Sequence, residues 1–327
     1  MPDNPYSIPE RRRLRRKLTF WRASAFVILL VAIGLFALSS SFFGDKATIG
    51  KNHIARINIS GVIVDDRELL ERLEKVKKSD AAKAVVISIN SPGGTTFGGE
   101  RVFEAIRDVA AEKPVVAEIR TLATSAGYMI ATAGDHIVAG QSSIIGSIGV
   151  IFQYAQVSEL LDRLGIAVNS IKSSPLKAEP SPFSEASPEA EAMIRSMIVD
   201  SYDWFVELVS QRRNMSRETT LALADGSIFT GRQALDNGLI DAIGGEEALR
   251  AWLADKDVSA DLEILEWKKT NTDDLFGVLS VIVPLVETLT GKQLMTADEF
   301  LGATQQKLFL DGLVSVWHVG NEGFGQE

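Results

Sequence analysis

Polar and apolar positions are segregated at the start of the chain. RRRLRRKLTFWR (Arg11 to Arg22) is followed by ASAFVILLVAIGLFALSSSFF, an uncharged run from Ala23 to Phe43. A helix of about twenty apolar residues crosses a bilayer core, so the pattern predicts a transmembrane helix over residues 23–43. The basic block ahead of it places residues 1–22 in the cytoplasm by the positive-inside rule, and everything after the span on the outer side. A cleaved signal peptide is the competing reading, with Ala37-Leu38-Ser39 as a weak small-x-small site. The length of the apolar run and its flanks favour an uncleaved anchor.

Beyond the span the periodicity changes. HIARINISGVIV (His53 to Val64) alternates and is rich in β-branched residues, as a strand does. RELLERLEKVKKS (Arg67 to Ser79) has leucines at helical spacing. AKAVVISIN (Ala82 to Asn90) is a short, nearly continuous apolar run, which suits a strand buried on both faces. SPGGTTFGG reads as a glycine turn, ERVFEAIRDVAAEK as an amphipathic helix and PVVAEIR as another strand. TLATS and AGYMIATAG follow, and then HIVAG and SIIGSIGVIF as strands or tight turns. Pro175, Pro180, Pro182 and Pro188 make SSPLKAEPSPFSEASPE a loop ahead of a long helix from about Glu189 to Arg213. DGSIFTGRQALDNGLIDAIGGEEAL adds a short strand, a helix over Arg232 to Asn237, a turn at Gly238, a strand and a last amphipathic helix. Strands alternating with helices predict an α/β fold: a central, largely parallel sheet flanked by helices. The expected organisation is a basic segment (1–22), the span (23–43), an exported domain (44–270) and a C-terminal segment (271–327). That last segment contains DDLFGVLSVIVPLVETLTG, too short and too interrupted by Pro284 for a second span. It reads equally as an interfacial or oligomer-contact segment and as a helix docked on the core.

Composition changes this picture little, and charge changes it more. The chain has 327 residues, 46% hydrophobic and 24% charged, enough for a sizeable core. Its formal net charge is −9 although the N-terminal segment is basic, so the remainder is clearly acidic. An acidic body argues against nucleic acid as a partner. There is no cysteine, which excludes disulfides, thiolate metal sites and a cysteine nucleophile. No ligand cluster suggests a metal or a cofactor.

Two short stretches carry candidate chemistry. Ser91 to Gly94 (SPGG) follows a buried strand, and glycines there let backbone N–H groups face a concave site. Phosphate binding is disfavoured, since neither GxxxxGK[ST] nor GxGxxG is present. An oxyanion hole is the other use, and a plain turn is the ordinary one. Ser125 stands after a strand and at the start of AGYMIATAG. A serine there suits an N-cap, as does Thr124. It also suits a nucleophile, because a helix start supplies N–H groups to a developing oxyanion. A nucleophilic serine needs a base. His53, His136 and His318 stand in no triad-like context. A lysine serves if burial favours its neutral form, and the proline-rich loop holds Lys172 and Lys177, each of which also reads as a solvated surface charge.

INSPGG (Ile89 to Gly94), TSAGYMIA (Thr124 to Ala131), GSIGVI (Gly146 to Ile151), KSSPLKAEPSPF (Lys172 to Phe183) and TGRQALDNGLID (Thr230 to Asp241) occur in this order behind one anchor. Together they resemble the signal peptide peptidase A family in its short, single-repeat bacterial form, along His53 to Leu249. The resemblance implies a Clp-protease/crotonase-like fold and a serine endopeptidase working through a Ser–Lys dyad without a cofactor. By position it makes Ser125 the nucleophile, Lys177 the general base, and the backbone N–H groups of Gly93, Gly94 and Ala126 the oxyanion donors, with Lys172 a weaker candidate base. It implies peptide substrates such as signal-peptide remnants, and a homo-oligomer whose dyad is completed within or between subunits. It also implies an inner-membrane location, with the catalytic domain periplasmic or extracytoplasmic. The sequence departs from the family pattern at Ala126, where glycine is usual, and at Ser174 and Pro175 in the lysine loop. Two rival classes share parts of the reading. One is a crotonase-type acyl-CoA enzyme, with Glu100 and Glu118 as acid and base. The other is a non-catalytic anchored scaffold, with Ser125 a cap and Lys177 a surface charge.

Overall fold

The computed structural model describes residues 51–268, together with Lys17, Trp21 and the backbone of residues 314–316. The expected span at 23–43 and nearly all of 271–327 lie outside the described residues. The chain divides into two units, residues 1–51 with 270–305, and residues 52–269 with 306–327. The second unit holds the sheet.

The alternation read at His53 to Val64 forms β1 (His53–Ser60), and the buried run forms β2 (Ala82–Ser91). Short β3 (Gly93–Thr95) follows at the glycine turn. Next come β4 (Val115–Thr124), β5 (His136–Ala139), β6 (Ile144–Gly146), β7 (Ile228–Thr230), β8 (Ala242–Ile243) and β9 (Ile264–Glu266). These strands apart from β3 make one sheet of eight, ordered β7-β6-β4-β2-β1-β9, with β5 joining β4 to β8. Every pairing is parallel except β6 with β7. The expected α/β class and largely parallel sheet are therefore present.

The centre of the sheet is covered on both faces, as the continuous apolar run at β2 requires. Ile57, Ile59, Val85, Ile87, Ile89, Ala117 and Ile119 point to one face. There they meet α1 (Arg67–Lys77), α2 (Thr96–Ala110), α3 (Ala126–Ala131) and α5 (Pro188–Arg213). Ile54, Ala84, Val86, Val116 and Val138 point to the other, under Leu249 and Leu253 of α8 (Glu246–Ala254). Three more short helices complete the described set: α4 (Ser158–Arg163), α6 (Arg217–Leu223) and α7 (Gly231–Asp236).

Helix starts follow local chemistry. Asp66 caps α1 by accepting from the N–H groups of Glu68 and Leu69. Ser187 caps α5, with Pro188 in its first turn. The glycine turn ends earlier than its sequence suggests. Thr95 caps α2 by accepting from Gly98 N–H at 3.0 Å, so Gly98 and Gly99 are helical. Their glycines serve close approach: a Cβ on Gly98 would lie 2.6 Å from the Val64 backbone, and one on Gly99 3.0 Å from Met129 Sδ.

β4 positions the site because it forks. Its first half, Val116 to Ile119, pairs with β5, and its last three residues, Leu122 to Thr124, pair with β6. The strand thus runs on past the point expected from PVVAEIR and delivers Thr124 and Ser125 beside Gly146.

Candidate active site

Ser125 sits between the end of β4 and the start of α3 with φ 56° and ψ −122°. This is a left-handed conformation that a residue with a Cβ adopts at a cost of about 1–3 kcal/mol. It is also the strand-to-helix turn that aims a serine out of the chain path. The turn is pinned from both sides. Ser125 N–H donates to Gly146 O at 2.8 Å, and Ser125 C=O accepts the first helical bond from Met129 N–H at 2.9 Å. The side chain makes no capping bond to α3; its Oγ points toward Gly149 O at 3.5 Å. The cap reading of Ser125 therefore does not describe this serine.

The GSIG stretch wraps the nucleophile candidate. Gly146 has φ +107°, and a Cβ there would lie 2.8 Å from Ser227 O. The motif was legible as part of the family pattern, but its role as a backbone cradle for Ser125 needed the β4–β6 pairing.

The glycine turn starts beside the helix that follows this serine. Ser91 pairs in register with Ala123, and a Cβ on Gly127 would lie 2.8 Å from Ser91 O. Only glycine lets α3 sit so close to the end of β2. Ser91 Oγ donates to Gly61 O at 2.7 Å and accepts from Gly93 N–H at 3.1 Å. Gly93 O accepts from Ile63 N–H at 2.8 Å, and Thr95 N–H donates to Ile63 O at 2.9 Å. In an extended strand successive backbone groups alternate sides, so Gly94 turns its N–H and C=O to the opposite edge. A Cβ on Gly94 would fall 1.8 Å from Ile63 O, so only glycine fits there. Ala126 opens α3, where first-turn N–H groups have no intrahelical acceptor. The strand of Gly93 and Gly94 thus lies against α3, the helix that Ala126 opens and Ser125 precedes.

Lys177 makes no hydrogen bond to any of them among the described residues. It is exposed in the arm 151–187, in which no residue is buried. Among the described residues its ammonium has no hydrogen bond or ion pair. Lys172 is ion-paired with Glu179, whose carboxylate also accepts from Ser181 N–H at 3.0 Å. The hydrogen bond from Lys172 holds the Glu179 carboxyl below its ordinary range.

The remaining candidates have other partners. His136 stacks on Trp252 with ring centroids 5.1 Å apart and stands 3.8 Å from Asp241. Burial pushes its pKa down, partly offset by the Asp241 charge. His53 Nε2 accepts from Trp267 Nε1 at 3.0 Å. His318 lies outside the described residues. Glu118 is on the other face of the sheet from Ile119, tied to Arg120 at 3.0 Å and Arg56 at 3.5 Å. It lines a cavity of about 400 Å³ with Arg120, Ser143 and Gly244 that does not include Ser125. Glu100 is half-buried in α2.

Comparison with known proteins agrees with this geometry. The family model for "Peptidase family S49" matches residues 107–260, and that for "Clp protease" matches residues 56–144. A Synechocystis protein named "Putative protease" is 34% identical over 79% of this chain and 91% of its own length. A Methanocaldococcus jannaschii protein of the same name is 32% identical over 77% of this chain and 87% of its own. "Putative signal peptide peptidase SppA" of Enterococcus faecium is 32% identical over 67% and 68%. The chain belongs to the signal peptide peptidase A family, peptidase family S49.

Proposed function

We propose that this protein is a membrane-anchored serine endopeptidase that cleaves apolar peptides, such as signal-peptide remnants, through a Ser125–Lys177 dyad. Family membership supports a serine protease. The observation that carries the assignment is the turn at Ser125: a serine with φ 56°, no capping role, and a glycine strand packed beside the helix it precedes. An uncharged run over 23–43 behind a basic block supports a single span with the catalytic domain on the periplasmic or extracytoplasmic side.

In this mechanism an extended peptide lies beside β3. The neutral amine of Lys177 takes the proton from Ser125 Oγ, which attacks the peptide carbonyl. The oxyanion receives the N–H groups of Gly94 and Ala126, while Gly93, whose N–H goes to Ser91, shapes the turn. Protonated Lys177 gives its proton to the leaving amine. Water then hydrolyses the acyl-enzyme with Lys177 again as base. An oxyanion donor is typically worth about 3 kcal/mol of barrier.

Because Lys177 is exposed and its ammonium has no hydrogen bond or ion pair among the described residues, a neighbouring copy is the proposed source of the base. The arm that carries it also exposes Ile171 completely, with Leu160, Leu164 and Phe183 about half exposed. Such a run of apolar side chains favours an interface.

The test uses the full-length protein in detergent or vesicles, with a serine-directed fluorophosphonate probe and a fluorogenic peptide. Wild type should label at Ser125 and turn over the peptide. Ser125→Ala should lose both labelling and turnover. Lys177→Ala should show at least a hundredfold drop in kcat, the usual scale of a general base. Undiminished turnover by both variants would overturn the dyad.

A further inference from the structure

The backbone of residues 314–316 forms a strand, β10 (Val314–Val316), which pairs antiparallel with β3. The register is Val314 to Thr95, Ser315 to Gly94 and Val316 to Gly93. One edge of β3 is already taken, by Ile63 through Gly93 O and Thr95 N–H. The other edge, toward which Gly94 turns its N–H and C=O, is the edge β10 occupies. That edge belongs to the glycine turn that lies against α3, the helix after Ser125. An extended peptide adds itself to an exposed sheet edge through main-chain hydrogen bonds. Resting on the reading that substrate lies along β3, the position of β10 is the position of a substrate strand.

We infer that the C-terminal segment around Val314–Val316 is a tethered occupant of the peptide-binding edge, which substrate must displace. Val-Ser-Val suits the role, since β-branched residues favour extended pairing. The register sets Ser315 against Gly94, the residue assigned as an oxyanion donor. Ser125 is 1% exposed, so the candidate nucleophile is covered in this state. Tethering converts the competition into an intramolecular one, in which the effective concentration of the tethered strand stands against that of the substrate. Short peptides would compete poorly, and long or locally concentrated chains better.

The inference is tested on the full chain by Ser315→Pro, which removes an N–H from the ladder and cannot sit in a central pairing. If β10 is mostly docked, KM for a short peptide should fall by roughly tenfold at unchanged kcat, because the binding-competent fraction rises. An unchanged or higher KM overturns the inference. A second measurement does not depend on catalysis. In the Ser125→Ala background, Ser315→Pro should raise amide hydrogen exchange at Gly94, whose N–H faces β10. Equal protection with and without proline also overturns it. If exchange responds to proline while wild type cleaves no peptide, β10 docks as inferred and the peptidase reading is what fails.

Discussion

At the scale of single residues, the site depends on one strained backbone. Ser125 holds φ 56° although it carries a Cβ, and two backbone hydrogen bonds keep it there, to Gly146 O and from Met129 N–H. Such strain costs about 1–3 kcal/mol and persists where the surroundings over-determine it. Glycine adopts this conformation without the Cβ penalty but loses more chain entropy on folding, by about 0.5–1 kcal/mol. The balance favours glycine. Ser125→Gly should therefore be more stable than Ser125→Ala by about 1 kcal/mol, read as a higher urea midpoint at equal m-value, with both variants inactive. An alanine variant as stable as the glycine one would mean that Ser125 is not strained. None of this is legible in TLATSAGYMIA alone. The stretch shows a serine after a strand and before a helix, which serves a cap as well as a nucleophile. The distinction lies in φ and in the pairing of β4 with β6, which are tertiary facts.

At the scale of elements, the strands and long helices follow the hydrophobic period closely, because each buries a face against a neighbour. AKAVVISIN is a centre strand covered on both faces, and RELLERLEKVK buries Leu69, Leu73 and Val76. What the period missed is short. α4 has no buried residue, α6 buries only Thr220, and β9 has three residues. β10 gains its meaning only from its partner. Lys177 was legible as a type of residue in a type of loop, but its exposure in an arm without buried residues was not. One link between elements sets a pH response. Arg213, in the last turn of α5, donates to both oxygens of Asp241 at 2.6 and 3.1 Å, and Ile137 N–H donates to the same carboxylate at 2.7 Å. Burial pushes the Asp241 pKa up, but the Arg213 bond and charge outweigh it and hold the carboxyl below its ordinary range. His136 beside it is pushed down by burial. Both folded-state values are depressed, so both groups contribute stability that is lost as pH falls. The His136 share is full above about pH 6.5 and fades below it; the Asp241 share is full above about pH 4 and fades below that. Stability measured by denaturant titration should decline in two stages on acidification. Asp241→Asn should remove the lower stage and cost about 1–3 kcal/mol at neutral pH. A variant that keeps the full acid response below pH 4 would place that response elsewhere.

At the scale of the whole molecule, the arm 151–187 is the part a single chain leaves unexplained. It packs no side chain into the core, exposes apolar residues along its length, and ends at the capped, well-packed start of α5. Under the proposed function a second copy of this chain, held on the same membrane surface by the proposed anchor, would supply a cover without any other partner. In a symmetric assembly each arm would bring Lys177 to the Ser125 of its neighbour. This arrangement is tested with two inactive proteins. Ser125→Ala chains keep every lysine, and Lys177→Ala chains keep every serine. When the two are co-assembled, some sites pair an intact serine from one chain with an intact lysine from the other. Peptidase activity should then appear in the mixture, rise with time as subunits exchange, and label at Ser125 of the Lys177→Ala chain alone. If the dyad instead formed within one chain, every site in the mixture would lack one group, and the mixture would stay as inactive as its parts while each parent alone kept its native oligomeric state.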